Sequence, residues 1–306
     1  MGLGAIAGPT KNSMRTIAAF FLLSLITLPL PAQSKPVTIP FTTNSEGMMI
    51  VPAKVGGSVS AQLIFDTGAG LDLLATSIIE KVHGKPAGQF TGFRMTGERL
   101  DIPLFVVPEL SVGPVVKRNA LVGSWDLLDK MHLDGIVSLN DFREQPVTFD
   151  FAGKEIVFET AASLKQRHAE SSSPIKLDDQ RGIVLDVFGE FIIDSQPGQC
   201  EIDTGSPSAT VSTRYMEPLG IQKDGKDVHK VERHTVAGAT QVRYDAILPR
   251  ISLADAPQIS LAPARIGFSD IIYDCVVGLD FWAGKTLTID IAGRRMLVAN
   301  SASPTH

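Results

Sequence analysis

The tripeptide Asp-Thr-Gly closes an apolar stretch twice in this chain. The first copy is Leu63-Ile64-Phe65-Asp66-Thr67-Gly68-Ala69 and the second is Cys200-Glu201-Ile202-Asp203-Thr204-Gly205-Ser206. A short apolar run that ends in Asp and Gly reads as a strand feeding a tight turn. The two aspartates lie 137 positions apart, so they can share one site only if the chain folds into two matching units whose turns meet.

The surroundings of the two copies match in order. Val37-Thr38-Ile39-Pro40 and Glu46 to Val51 precede the first, as Ile175-Lys176-Leu177 and Arg181 to Leu185 precede the second. After each motif comes a short helix signal, Thr76 to Lys81 and Ser212 to Glu217, with a hydroxyl residue suited to the N-cap. Each half then offers a Gly-centred hairpin, Phe93 to Glu98 and His234 to Ala239, leading into alternating strands closed by Pro108 and Pro249. The ends match as well: Gly135-Ile136-Val137-Ser138-Leu139-Asn140 with Cys275-Val276-Val277-Gly278-Leu279-Asp280, and Val147 to Lys154 with Leu287 to Arg294. A period of about 140 residues is far too long for a solenoid and marks domain-sized lobes. The expected organisation is a signal peptide over 1–32, a first lobe over 36–160, a polar connector over 161–174 and a second lobe over 175–300.

Composition narrows the function. The 306 residues are 44% hydrophobic and 20% charged, as in a globular chain, and Gly 27 and Pro 19 favour a turn-rich β protein. A net charge of −5 with no Lys/Arg cluster excludes a nucleic-acid binder. Lys11 and Arg15, the apolar run Ile17 to Leu28 and Pro29-Leu30-Pro31-Ala32 follow the order of a secretory signal, with an uncleaved anchor as the other reading. Met14-Arg15 opens a compact signal by itself. No later segment is apolar enough to span a membrane. Export would place Cys200 and Cys275 in a disulfide-permissive compartment, where two buried thiols are the plainer reading. The six histidines have no metal-ligand spacing, and Ser208 and Thr210 have no recognisable base. Trp125 and Trp282 read as core or cleft-wall aromatics.

A strand ending in Asp-Thr-Gly-Ala/Ser, a hairpin, and a strand of two apolar residues and Gly together resemble the aspartic protease superfamily. The tandem short lobes look like a single-chain, retropepsin-like version of the pepsin arrangement. The resemblance covers nearly all of the chain after residue 32. It implies an all-β, bilobal acid-protease fold: two duplicated β-barrel-like lobes, a cleft between them, and short helices after each Asp-Thr-Gly turn. It implies hairpin flaps, with candidates Met95, Thr96 and Gly97 in the first lobe and Val236, Ala237 and Gly238 in the second. It also sets Cys200 and Cys275 on neighbouring strands, where a disulfide can form. Ser138 departs from the pattern, since it stands where the second lobe keeps Gly278, and it asks for more room against the first turn.

The chemistry follows from the residue types. Two carboxylates about 3 Å apart share one proton, so that one acts as base toward water and the other as acid. Asp66 and Asp203 are the candidate catalytic pair. Gly68 and Gly205 let the backbone approach. By resemblance, Thr67 and Thr204 exchange hydrogen bonds across the lobes. Ser206 can donate to Asp203 whereas Ala69 cannot donate to Asp66, so the shared proton is expected mainly on Asp66. The expectation is an exported, periplasmic or secreted aspartic endopeptidase that acts as a monomer on a peptide or protein substrate. It needs no cofactor and no metal, and no inhibitory prosegment is expected. The alternative is a catalytically weak or inactive peptide-binding protein on the same fold, to which Ser138 points.

Overall fold

The computed structural model describes residues 35–234 and 240–301. Residues 1–32, expected as a signal peptide, and the flap candidates Val236, Ala237 and Gly238 lie outside the described residues. Among those described, eight strands between residues 42 and 137 form one sheet, and the remaining strands form a second that runs from the first half into the other. No helix among them is long and apolar enough to cross a membrane.

The seam between the halves is antiparallel and symmetric. Strand Val147–Asp150 pairs with Lys285–Asp290, placing Thr148 opposite Thr288, its counterpart in the duplication. Their hydroxyls meet at 2.7 Å, and Glu159 accepts from Thr148 at 2.8 Å, so these buried polar groups are satisfied. Glu155–Phe158 and Val37–Pro40 extend this sheet on one side, and Arg295–Asn300 and Ser171–Gln180 on the other. Two like strands pairing in register is what a duplicated gene product can do without inventing a new interface.

Each lobe presents its motif on the same local scaffold. Strand Val59–Phe65 runs antiparallel to Met49–Val55 and parallel to Gly135–Val137, while Gln196–Ile202 runs antiparallel to Val184–Ile193 and parallel to Cys275–Val277. Alternating buried positions along Met49–Val55 give it one core face. Phe65 stacks on Phe142 and meets Phe149 edge-on, and Phe191 meets Phe281 and Trp282, so aromatic packing anchors the base of both lobes. Trp282 is fully buried and Trp125 packs against a smaller apolar cluster of the first lobe. Cys200 and Cys275 face each other across the parallel pair and are joined as a disulfide.

Three local expectations are corrected. Thr76 does not cap its helix: Ala75 holds the cap position of Thr76–Lys81, and the Thr76 hydroxyl pairs instead with Ser124 at 3.0 Å. The second helix signal forms only the 3-10 turn Thr213–Tyr215, and Ser212 before it makes no side-chain cap. Pro108 does not end its strand, which runs on as Arg99–Val112; pairing skips Pro108 and resumes in the same register at Glu109 opposite Arg118, with Asn119 across from Pro108 at φ 51°. The stretch 161–174 carries more structure than its polarity suggests, with a capped helix at Ala161–Gln166 and the start of strand Ser171–Gln180.

Candidate active site

The two turns meet. A Cβ added to Gly68 would stand 2.5 Å from Cγ of Asp203, and one added to Gly205 would stand 2.3 Å from Oδ2 of Asp66. Each motif's glycine therefore lies directly against the other motif's carboxylate, and no larger residue fits at either place.

Four hydrogen bonds lock that contact. The Thr67 amide donates to the Thr204 hydroxyl at 3.0 Å, and the Thr204 amide donates to the Thr67 hydroxyl at 3.0 Å. The Thr67 hydroxyl donates to the Ile202 carbonyl at 2.6 Å, and the Thr204 hydroxyl to the Phe65 carbonyl at 2.8 Å. Both threonines are fully buried, and each hydroxyl serves as both donor and acceptor. The bonds tie the end of each strand to the other turn and fix the relative position of the two aspartates.

Each carboxylate is also held by its own turn. The Gly68 amide donates to Asp66 Oδ1 at 2.9 Å and the Gly205 amide to Asp203 Oδ1 at 2.7 Å. The Asp66 amide donates to the Val137 carbonyl and the Asp203 amide to that of Val277, which seats both aspartates on the neighbouring strand. Ser206 adds a hydroxyl bond of 2.6 Å to Asp203 Oδ2, whereas Ala69 has no donor to give Asp66. Burial, then the negative charge of Asp203, holds the Asp66 carboxyl well above its usual range, while the amides of Gly68 and Ala69 pull the other way.

Ser138 is not a loose fit. It is fully buried, and both its amide and its hydroxyl donate to Asp72 Oδ1, at 2.7 and 2.9 Å. Sequence reading missed Asp72, and the signal was available: a charged residue between Leu71 and Leu73, where the second lobe has Ala209. Burial, then the charge of Asp141, raises the Asp72 carboxyl; Asp141 in turn pairs with Lys117.

The first hairpin, between Lys85–Phe93 and Arg99–Val112, turns at Gly97 with φ 77°. Its tip reaches the other lobe, where the Ile272 amide donates to the Met95 carbonyl at 2.8 Å. Met95, Thr96 and Gly97 thus form a bridge from the first lobe to the second. Strands His229–His234 and Thr240–Leu248 pair as the second hairpin.

The chain is similar to two solved structures. The crystal structure of EDGP matches with a TM-score of 0.56 and 11% identity over 87% of this chain and 95% of that one. Basic 7S globulin from soybean matches with a TM-score of 0.53 and 11% identity over 88% of this chain and 95% of that one. Both have the pepsin-like fold, and the likeness is one of fold. No family model and no curated protein sequence matches the chain.

Proposed function

We propose that the protein is an exported aspartic endopeptidase in which Asp66 and Asp203 share one proton and activate a water for attack on a peptide bond. The observation that supports this most directly is the reciprocal threonine bonding that presses Gly68 on Asp203 and Gly205 on Asp66. A closely apposed pair of carboxyls cannot both ionise freely, so one is available as acid while the other acts as base. Asp66 is the member that keeps the proton in the free enzyme, because Ser206 stabilises only the ionised form of Asp203. The peptide would lie extended across the cleft beneath the first hairpin, held by main-chain hydrogen bonds. Opening of the Met95–Ile272 contact would admit it. The disulfide between Cys200 and Cys275 accords with an oxidising, periplasmic or secreted location.

A peptide-library digest from pH 3 to 8, run with wild type, Asp66→Asn and Asp203→Asn, tests the reading. Cleavage by wild type that a statine-type mimic blocks and both variants lose is the expected result. Cleavage that survives both substitutions would refute the mechanism. Peptide binding without cleavage by any form would make the protein a binding module on the same fold.

A further inference from the structure

The surroundings of the two aspartates differ most at two positions. Register makes Ile64 and Glu201 equivalents, since Ile50 pairs with Ile64 as Phe188 pairs with Glu201; two residues back from Ile50 and Phe188 stand Met48 and Asp186. In the first lobe Met48 and Ile64 belong to an apolar cluster with Ala75, Leu128 and Ile136, and Ala69 packs against it. In the second lobe the same two places carry carboxyls. Glu201 is 4% exposed and Asp186 8%, so both are as buried as the apolar residues they replace.

Carboxyls so buried are ordinarily paired. Among the described residues neither has a hydrogen bond or a salt bridge, and the charges acting on them are all negative: Asp203, Asp186 and Asp66 on Glu201, and Asp178 on Asp186. Tyr273, at the place of Leu133, also faces this group and feels the charges of Glu201, Asp186, Asp178 and Asp203. Asp186 lies against the first turn as well, its Oδ1 2.6 Å from where a Gly70 Cβ would be. The pair therefore sits between the two motifs.

A cavity of about 500 Å³ lies on the same face of the sheet, lined in part by Asp178, Phe188, Gln199 and Tyr273. Asp178 pairs in register with Asp186, and Phe188 with Glu201, so the two carboxyls lie on that face directly behind the Asp178 and Phe188 wall of the cavity, without lining it themselves. The cavity's two cations are already engaged, Lys176 with Gln199 and Arg214 with Asp274. Phe188 and Tyr273 meet edge-on with centroids 5.2 Å apart, giving an aromatic wall suited to an alkyl stem or a cation.

We propose that Glu201 and Asp186, with Asp178 at the entrance, form a subsite for a lysine or arginine side chain of the bound peptide, beside the second aspartate. This rests on the reading of the cleft as a peptide site. No three His, Cys, Asp or Glu side chains among the described residues cluster as metal ligands, which favours a long organic cation over a metal ion. The first-lobe counterparts Met48 and Ile64 are apolar and would favour an apolar side chain, so the two flanks of the scissile bond would be read by opposite chemistry. Both acidic groups are biased toward their protonated forms when empty, so a cationic guest displaces protons as it binds. Its advantage grows as pH rises.

Non-cleavable statine-type peptides carrying Lys, norleucine or Glu at each position flanking the statine test this by calorimetry, without requiring turnover. At one position, Lys should bind about tenfold more tightly than norleucine at pH 7.5, with a smaller gap at pH 5. Glu201→Gln should remove most of the gap, and Glu201→Ile, which copies Ile64, should reverse it. Equal binding of Lys and norleucine at every position overturns the subsite, as does a gap that survives both Glu201→Gln and Asp186→Asn, or failure of every peptide to bind. The library digest decides hydrolysis separately. Charge-selective binding without cleavage would sink the protease reading and leave the subsite standing; cleavage without charge preference would do the reverse.

Discussion

At Gly278 in the second lobe, a Cβ would stand 2.6 Å from the Ser206 carbonyl and 2.8 Å from the backbone of Ser208; at Ser138 in the first, a whole side chain fits. The reason lies in where each loop turns. In the second lobe the amides of Leu279 and Asp280 donate to the carbonyls of Ser206 and Pro207, so the loop folds down on its own strand. In the first lobe the carbonyl of Gly70, the counterpart of Pro207, is taken by the Leu185 amide of the other lobe. The strand and the loop are then tied by side chains. Asp72 reaches from the loop to Ser138, whereas in the second lobe Asp280 reaches back to the Ala209 amide at 3.0 Å. A motif glycine is thus required only where backbone crosses it. Ser138 reports a different brace, not a weakened turn.

Exchanging residues between the lobes breaks this comparison most sharply. Gly278→Ser should cost about 3 kcal/mol in denaturant unfolding, because the obstacles are backbone and cannot rotate away. A loss within about 0.5 kcal/mol would mean that the second loop does not press on the strand as described. Next come the threonines, which the lobes share equally. Thr67→Val and Thr204→Val should each cost about 2 kcal/mol by orphaning a buried amide and a buried carbonyl, with Thr→Ser mostly restoring both. The double variant should cost less than the sum of the singles, since the bonds are reciprocal. Markedly unequal single losses would break the symmetry.

The acidic pair sharpens the contrast through pH. Burial, then the charge of Asp178, pushes the Asp186 carboxyl up to about 7. A raised carboxyl favours the folded state while it is protonated. Its contribution is present below the unfolded value of about 3.9 and is lost as pH climbs toward the folded value. Asp186→Asn should therefore match wild type near pH 4 and exceed it by about 2 kcal/mol at pH 8. Thermal melts across that range check it, and a gain that is the same at both ends would remove the assigned cause. The smallest effect is expected from Ser138→Gly. It leaves the amide bond to Asp72 and removes the hydroxymethyl group, with its bond to Asp72 and the one it accepts from the Asn140 amide, at a cost of about 1 kcal/mol, with cleavage rates unchanged if hydrolysis is established.

The duplication was legible because strand ends repeat as sequence. Asp66, Thr67 and Gly68 align with their counterparts in sequence, and aligned residues such as Thr148 and Thr288 meet across the seam. What sequence did not reveal depends on tertiary neighbours. The cap expected of Thr76 was lost to Ser124 and Asp129, residues about fifty positions away. Pro108 reads as a strand end, yet the chain passes through it because pairing with the neighbouring strand holds the same register on both sides of it. Asp72 and Glu201 were visible as charges inside apolar segments, but only burial shows that one is braced by Ser138 and the other left without a counterion. The reach of Met95 to Ile272 has no sequence signal, since a hairpin's tilt is set by packing at its base.

That the two turns form one acid–base unit is tested most directly by titrating the aspartate carboxyls by ¹³C NMR in wild type, Asp66→Asn and Asp203→Asn. One carboxyl should titrate well above the usual range. It should vanish in Asp66→Asn and move downward in Asp203→Asn, where the neighbouring charge is gone while the burial that also raises it stays. Two carboxyls that each titrate near the usual value, neither moving when the other is replaced, would show that the turns do not share a proton.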